Sequence, residues 1–414
     1  MRTNTSAGVS VATTPVAVVG AGPAGLATSR ELAKAGVEHV VLERGRIGQT
    51  WRDRWDSFCL VTPNWTVQLP DGHYEGSDPD GFMTRDEMVG YLEAYADGFE
   101  APVREQAEVA SIEALDDGFL LGLPGSDVRA GAVVLATGAF QKPYRPAWAD
   151  TLPAGLFVVD VNEYRNEQAL PPGRVLIIGS GQSGCQIAEE LHQAGRDVVV
   201  ACGRAPWLPR RIGEHDFTWW AVETGFLDAT VDSLPAPEAR LFANLLSSGR
   251  GGGHDLHLRT LQSQGVVLAG HFLGAADGKF RFAPDLADSV AWGDERYGQF
   301  MGLVRKLAAE RGLEPVKIAE PEPFSADAPS ELHASEFGAV VLAGGFRPGY
   351  RSWLPWPEAF DDLGFPVHED GESTVVPGLH FVGVHFLRTR KSSILIGMGE
   401  DAALVAGRIA ARRG

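Results

Sequence analysis

Two copies of one glycine pattern constrain this chain more than any other feature of its sequence. In the first copy, the apolar run VAVVG from Val16 leads into AGPAG and the helical stretch LATSRELAKAG, and HVVLE follows. Gly20, Gly22 and Gly25 thus satisfy G-x-G-x-x-G between a strand and a helix. The second copy, VLIIGSGQSGCQIAEELHQAGRDVVVACGR, places Gly179, Gly181 and Gly184 in the same way. Sixteen residues separate Gly20 from Gly36 and Gly179 from Gly195, the glycines that end the two helices. A lone G-x-G-x-x-G is a weak signal, because a glycine-rich turn that binds nothing can carry the same letters. A strand before it and a helix and second strand after it form the confirming context, and that context occurs twice. The first glycine permits the tight turn, the second lets backbone approach a pyrophosphate, and the third lets helix pack closely on strand. The phosphates then meet free amides and the positive end of the helix dipole. Around Gly22 this brings in Pro23 and Ala24; around Gly181 it brings in Gln182 and Ser183. The expected fold class is α/β, with two Rossmann-like dinucleotide-binding domains.

The end of each second strand indicates which nucleotide goes where. In the first copy that position is Glu43, suited to accept hydrogen bonds from ribose hydroxyls, with Arg44 beside it. In the second copy the equivalent position is Cys202, and Arg204, Arg210 and Arg211 follow. A carboxylate there would repel a 2′-phosphate, whereas arginines can grip one bidentately. The first site is therefore expected to hold FAD and the second to prefer NADPH. A solvated basic loop is the alternative for the arginines.

Two further segments repeat each other, AVVLATGAF at 132–140 and AVVLAGGF at 339–346. Each is a buried-strand run ending in small residues, Ala136-Thr137-Gly138 and Ala343-Gly344-Gly345, which let backbone pass close to a ligand or a domain crossing. The expected plan is a disordered tail at 1–14, an FAD domain at 15–155, an NADPH domain inserted at 156–328, and the rest of the FAD domain at 329–414. FQKPYRPAWADTLPAG would be the exit linker and IAEPEPFSADAPSE the return.

Composition narrows the function classes. Glycine makes up 50 of the 414 residues, above the ~7% average, but it is neither periodic nor massed in one segment, so no collagen-like chain is implied. A net charge of −18 opposes nucleic-acid binding. No apolar run approaches the ~18 residues of a membrane span. The scattered Cys59, Cys185 and Cys202 form no C-x-x-C and no metal-ligand spacing, which points to a reducing, cytoplasmic setting and no metal. His254 and His257 stand at helical spacing in GGGHDLHLR but lack a third ligand.

With these residues in hand, the chain resembles the two-dinucleotide flavoproteins, specifically the flavin-containing (class B) monooxygenases. The resemblance covers about 15–413 and also rests on GQTWRDRWDSFCLVTPN at 48–64 and on FVGV…IGMGEDAALVAGRIA near the C-terminus. The nearest subset is the bacterial group often labelled flavoproteins of potassium transport. The resemblance implies FAD in the first unit and NADPH in the second. It implies reduction of FAD by NADPH, addition of dioxygen at the flavin C4a, and transfer of one oxygen atom to a small nitrogen, sulfur or carbonyl substrate. Gln49, Thr50, Trp51 and Trp55 would lie beside the flavin and its pyrophosphate, with Val109 among the cofactor contacts. Thr62 and Asn64 would approach the isoalloxazine edge. Gly383 and the turn around Ile396 and Gly397 would meet the flavin at the N-terminus of the last helix. Arg388, in a cluster with Arg390 and Lys391, would bind an NADP phosphate or an acidic substrate, a solvated loop being the alternative. One departure stands out: Asp160 occupies the place of the histidine in the family's F-x-G-x-x-x-H fingerprint, although Tyr164, Arg165 and Asn166 still fit.

Small molecules and O2 are then the expected partners, and a homodimer is left open. Two other readings compete, a two-dinucleotide disulfide or ferredoxin-type reductase and a nucleotide-sensing regulatory subunit. The first needs a redox cysteine pair.

Overall fold

Strand-forming apolar runs and glycine-punctuated helices alternate twice along the chain, and each series builds its own parallel sheet. The structure, a computed structural model, describes residues 10–242 and 244–413. In the first sheet the parallel strands run in the order Leu379–Phe381, Ser126–Leu135, Ser10–Val19, His39–Leu42 and Val103–Arg104. A hairpin of Ser111–Leu115 and Gly118–Leu123 continues antiparallel from Ser126–Leu135. The second sheet is all parallel, in the order Phe157–Asp160, Phe337–Leu342, Arg174–Ile178, Val198–Ala201 and Val267–Ala269. Its central strand Val175–Ile178 is buried throughout, as a parallel strand with both faces covered should be.

Three expectations need correction. The first strand starts at Ser10 rather than at 15, pairing Ser10–Thr14 with Ser126–Ala130, so those residues belong to the sheet. The β-branched Val11, Thr13 and Thr14 favour that extension, and residues 1–9 of the expected tail lie outside the described residues. The strand Phe337–Leu342 belongs to the second sheet and not to the first. It lies beside Arg174–Ile178 in the register in which Ser126–Leu135 lies beside Ser10–Val19, with Ile178 opposite Leu342 and Val19 opposite Leu135. Each repeated AVVLA run therefore completes its own nucleotide-binding unit, and the chain returns to the first unit only after Leu342. IAEPEPFSADAPSE is no return linker either; Arg259 and Gln262 donate to the carbonyls of Glu322 and Ser325, both at 2.8 Å, and hold it along the second unit.

The crossings themselves are paired. Lys142–Pro143 leaves the first unit and Phe346–Arg347 re-enters it, the two segments running antiparallel. Helix Pro23–Lys34 packs on the last helix, Met398–Ala411, through Leu26, Ala27, Ala402, Val405, Ala406 and Ile409. Small residues at this contact bring two helices close behind one phosphate loop. An accessory cluster on the second unit joins helices Phe217–Glu223 and Leu286–Glu310 through Trp220, Phe300 and Val304. Among the described residues, no helix is long and apolar enough to cross a membrane.

Candidate cofactor and active site

Both phosphate loops show the same close packing. Gly20 (φ +105°) turns so sharply that a Cβ would lie 2.7 Å from the Ala136 carbonyl oxygen. A Cβ on Gly25 would overlap the carbonyl oxygen of Gly20. In the second unit a Cβ on Gly179 (φ +115°) would overlap the oxygen of Ala343, and one on Gly184 the oxygen of Gly179. Gly22 differs, for a Cβ there would meet nothing within 4 Å. That open side is where backbone can approach a pyrophosphate.

The helices after the loops begin at Gln182 and Pro23, and neither N-terminus is capped by a side chain. By contrast, helix Arg85–Gly98 carries a complete capping box from Thr84 and Glu87. Two twelve-residue helices thus leave their first amides free at the places where the motif puts phosphate. The residues present fit two dinucleotides.

Glu43 is buried; its Oε2 accepts from the Ala21 amide at 2.8 Å and its Oε1 from the Gly45 amide at 2.9 Å. A carboxylate has further lone pairs for a ribose. Arg44 is exposed beside it. In the second unit Cys202 is fully buried, and Ser180 ties the loop to Gly203 by hydrogen bonds of 2.9 and 3.0 Å. Arg204 is exposed and, among the described residues, makes no ion pair. Arg211 is exposed as well and donates to the Glu214 carbonyl. Arg210 is different. It is buried, pairs with Asp216 at 2.6 Å, donates to Val61 in the first unit at 2.7 Å, and lies over the rings of Phe82 and Phe217. It ties the two units together. Gln182 is also engaged, exchanging hydrogen bonds with the Ser247 backbone, while Ser183 stays partly exposed.

Several expected site residues have other employment. Trp55 is only 2% exposed and sits in the second unit's core with Tyr164 and Cys185, so it has almost no surface left for a flavin. Asn64 is 4% exposed; its amide donates to the Asp78 carbonyl at 2.9 Å and accepts from the Met83 amide at 2.7 Å. Both amide functions therefore staple the 78–83 loop, and burial leaves the second N–H and the second lone pair little access to an isoalloxazine edge. Thr62 is partly exposed and accepts from Thr66 at 2.9 Å. Arg388 pairs with buried Asp401 at 3.0 Å and approaches Asp370, so its charge is compensated within the protein. Trp51 is partly exposed with its ring edge-on to Phe58, Thr50 is exposed, and Gln49 bonds to Asp53 and to the Arg46 amide. Val109 packs against the first sheet.

The strand-end glycines form the crossing. Thr137 and the Gly138 carbonyl accept from Gln141, both at 2.9 Å, and Gly345 accepts from the Tyr144 amide at 2.9 Å. Gly138 (φ +82°) and Gly345 (φ +86°) have open space where a Cβ would stand, whereas one on Gly344 would lie 3.2 Å from the Tyr144 carbonyl oxygen. At the C-terminal segment, Gly383 (φ +74°) has room for no Cβ, because Ala24 of the first loop is 2.5 Å from where it would stand. Ile396 packs toward the accessory cluster, and Gly397 caps the last helix. Asp160 accepts from Arg145 Nε at 3.1 and 2.8 Å and pairs with its Nη2 at 2.8 Å, and so anchors the crossing. Arg165 donates to the Asp53 carbonyl at 2.7 Å, and Asn166 donates to Asp56 at 2.7 Å, closing the seam from the other side. His254 and His257 go to different partners, His254 to buried Glu189 at 2.8 Å and His257 to the face of Trp207. Arg54, which sequence reasoning missed, is partly exposed over Phe58 and Phe140, and burial holds its pKa down at about 10. Its only signal in the sequence is the aromatic setting WRDRW.

Two uncapped phosphate cradles on two parallel sheets define a two-dinucleotide oxidoreductase. The sequence pattern of the pyridine nucleotide-disulphide oxidoreductases matches residues 17–215. The chain is 30% identical over 389 residues to the "Uncharacterized oxidoreductase CzcO-like" of Geobacillus kaustophilus, covering 94% of this chain and 95% of that one. It is 31% identical over 393 residues to the indole-3-pyruvate monooxygenase YUCCA4 of Oryza sativa subsp. japonica, covering 84% and 78%. The solved flavin-containing monooxygenase of Stenotrophomonas maltophilia superposes with a TM-score of 0.68 at 18% identity, covering 97% of this chain and all of that one. The chain belongs to the flavin-containing (class B) monooxygenase family. FAD and NADPH are its cofactors.

Proposed function

We propose that this protein is an NADPH- and O2-dependent monooxygenase that transfers one oxygen atom to a small nitrogen-, sulfur- or carbonyl-containing molecule. The observation that carries the reading is the pair of uncapped phosphate loops, one on each of two units that buried Arg210 and partly exposed Arg165 and Asn166 tie together. When bound, the two cofactors supply the electrons: NADPH, a proton, O2 and substrate become NADP+, oxygenated substrate and water. The amides after Gly20, Gly22 and Gly25 bind the FAD pyrophosphate, and Glu43 binds its ribose. The amides after Gly179, Gly181 and Gly184 bind the NADPH pyrophosphate, with Arg204 on the 2′-phosphate and exposed Arg211 next to it. Arg210, Arg165 and Asn166 hold the units together and keep water from the reacting atoms, which protects oxygen transfer from loss as peroxide.

A disulfide-reductase reading is disfavoured by the thiols. Cys59, Cys185 and Cys202 are all buried and unpaired, and burial pushes Cys59 up to about 11 and Cys185 up to about 12. Such thiols are poor nucleophiles. A regulatory flavoprotein would bind both cofactors without substrate-stimulated turnover. The test is NADPH oxidation under 18O2 with a panel of amines, sulfides and ketones. Labelled product with little H2O2 supports the reading; one H2O2 per NADPH with every compound overturns it.

A further inference from the structure

The basic cluster at 388–391 separates in the folded chain. Arg388 is neutralised by Asp401 and Asp370, and Lys391 by Asp228 and Glu400. Arg390 alone has no such partner: among the described residues its side chain makes no ion pair and no hydrogen bond, and its Nε is buried without an acceptor. Arg390 is only partly exposed, so solvent does little to compensate its charge. The guanidinium carbon lies over two aromatic rings, 4.3 Å from the centroid of Phe226 and 4.9 Å from that of Phe386. The two rings shield the cation, and of its nitrogens only Nε is both buried and without a partner, which leaves the Nη edge for a fork of hydrogen bonds.

The support beneath it is strained. Phe386 is buried with φ +53°, a backbone conformation that a bulky residue adopts only when its surroundings impose it. The Arg390 amide donates to the Ala229 carbonyl at 2.9 Å, which fixes the turn against the second unit. The same turn begins at Gly383, which touches Ala24 of the first phosphate loop. Arg390 therefore stands at the junction of both units, on the segment that leads from the first loop to the last helix. His385 is kept neutral by burial, with Arg390 and Arg240 adding to the effect, so it adds no second positive charge there.

We propose that Arg390 recognises a carboxylate on the substrate, held bidentately by the Nη edge of its guanidinium, so that the molecule oxygenated is a small organic acid. This rests on the monooxygenase reading, but its test does not need turnover. Phenylpyruvate and the neutral ketone phenylacetone are titrated calorimetrically into the FAD- and NADP+-loaded protein, in wild type and in Arg390→Gln and Arg390→Lys. Wild type should bind phenylpyruvate more tightly than phenylacetone by about tenfold or more. Arg390→Gln should abolish that preference while leaving phenylacetone affinity unchanged, and Arg390→Lys should keep part of it. Equal binding of acid and ketone by wild type overturns the proposal. So does an unchanged preference in Arg390→Gln, or a loss confined to NADP+ affinity, which would mean that the guanidinium reads a cofactor phosphate. Failure of the monooxygenase reading would appear separately, as peroxide release from a protein that still binds the acid.

Discussion

Arg204 stands exposed after the second strand of its unit, free to meet a phosphate, whereas Arg210 is buried and spoken for. Replacing Arg204 with Gln should raise KM for NADPH by about tenfold and leave NADH turnover unchanged, since only NADPH carries the 2′-phosphate. Steady-state kinetics with both cofactors checks this, and equal effects on the two would remove Arg204 from that role. The pair His254–Glu189 yields a stability prediction. Donating a hydrogen bond to the Glu189 carboxylate raises His254 above its ordinary 6.5, and, despite burial, His254 and Gln264 hold Glu189 below its ordinary 4.5. The histidine's contribution is complete below 6.5 and is lost as pH rises through its raised folded value; the carboxylate's is complete above 4.5 and is lost as pH falls through its lowered one. His254→Gln should therefore cost most between those values, about 1–2 kcal/mol given that His254 is partly exposed, and less at alkaline pH. Urea unfolding at about pH 6 and about pH 8.5 measures the difference. The residues that resemblance picked out and that the structure shows engaged with other groups share one cause. What Asn64 bonds to is set by a loop that begins at Asp78, and what Arg388 meets is set by Asp370 and Asp401. Two arginines two residues apart read alike in a sequence; only long-range contacts make one neutralised and the other free.

The phosphate loops are the elements that a sequence reports best, because all their requirements are local. Glycine spacing, the apolar strand before and the helix after lie within one short stretch, so fold class and both nucleotide units could be read directly. Two glycines of one loop should nevertheless behave differently. Gly25→Ala would press a methyl into the Gly20 carbonyl, and the protein should unfold several degrees lower or accumulate poorly, with or without added FAD. Gly22→Ala meets open space at φ −81°, which suits alanine, so the apo-protein should melt normally but fail to retain FAD. Thermal melts of apo and FAD-reconstituted protein distinguish the two; a Gly22→Ala protein that holds flavin as wild type does would mean the pyrophosphate lies elsewhere. Strand membership was less legible. AVVLAGGF carries the same letters whichever sheet it joins, and its place beside Arg174–Ile178 depends on a partner far away in sequence.

At the scale of the whole molecule, the seam between the units is polar and specific. Arg210 reaches from the second unit to Val61 of the first, and Arg165 and Asn166 reach to Asp53 and Asp56. Arg210→Lys keeps the charge but loses the planar fork and its stacking on Phe82 and Phe217. It should raise the H2O2 formed per NADPH consumed, with NADPH affinity little changed; oxygen-electrode traces with and without catalase read this. Unchanged coupling would mean that the seam does not exclude water. The covalent links between the units have a further mechanical meaning. Both strands that join them, at 142–143 and 346–347, run side by side, so the second unit is tethered along one line and not at two separated points. Any swing of that unit is confined to a single axis lying in this ribbon. Displacement grows with distance from it, so the Gly179 turn, packed against Ala343 and Gly344 beside the ribbon, would move little, and parts of the unit remote from the ribbon would travel furthest.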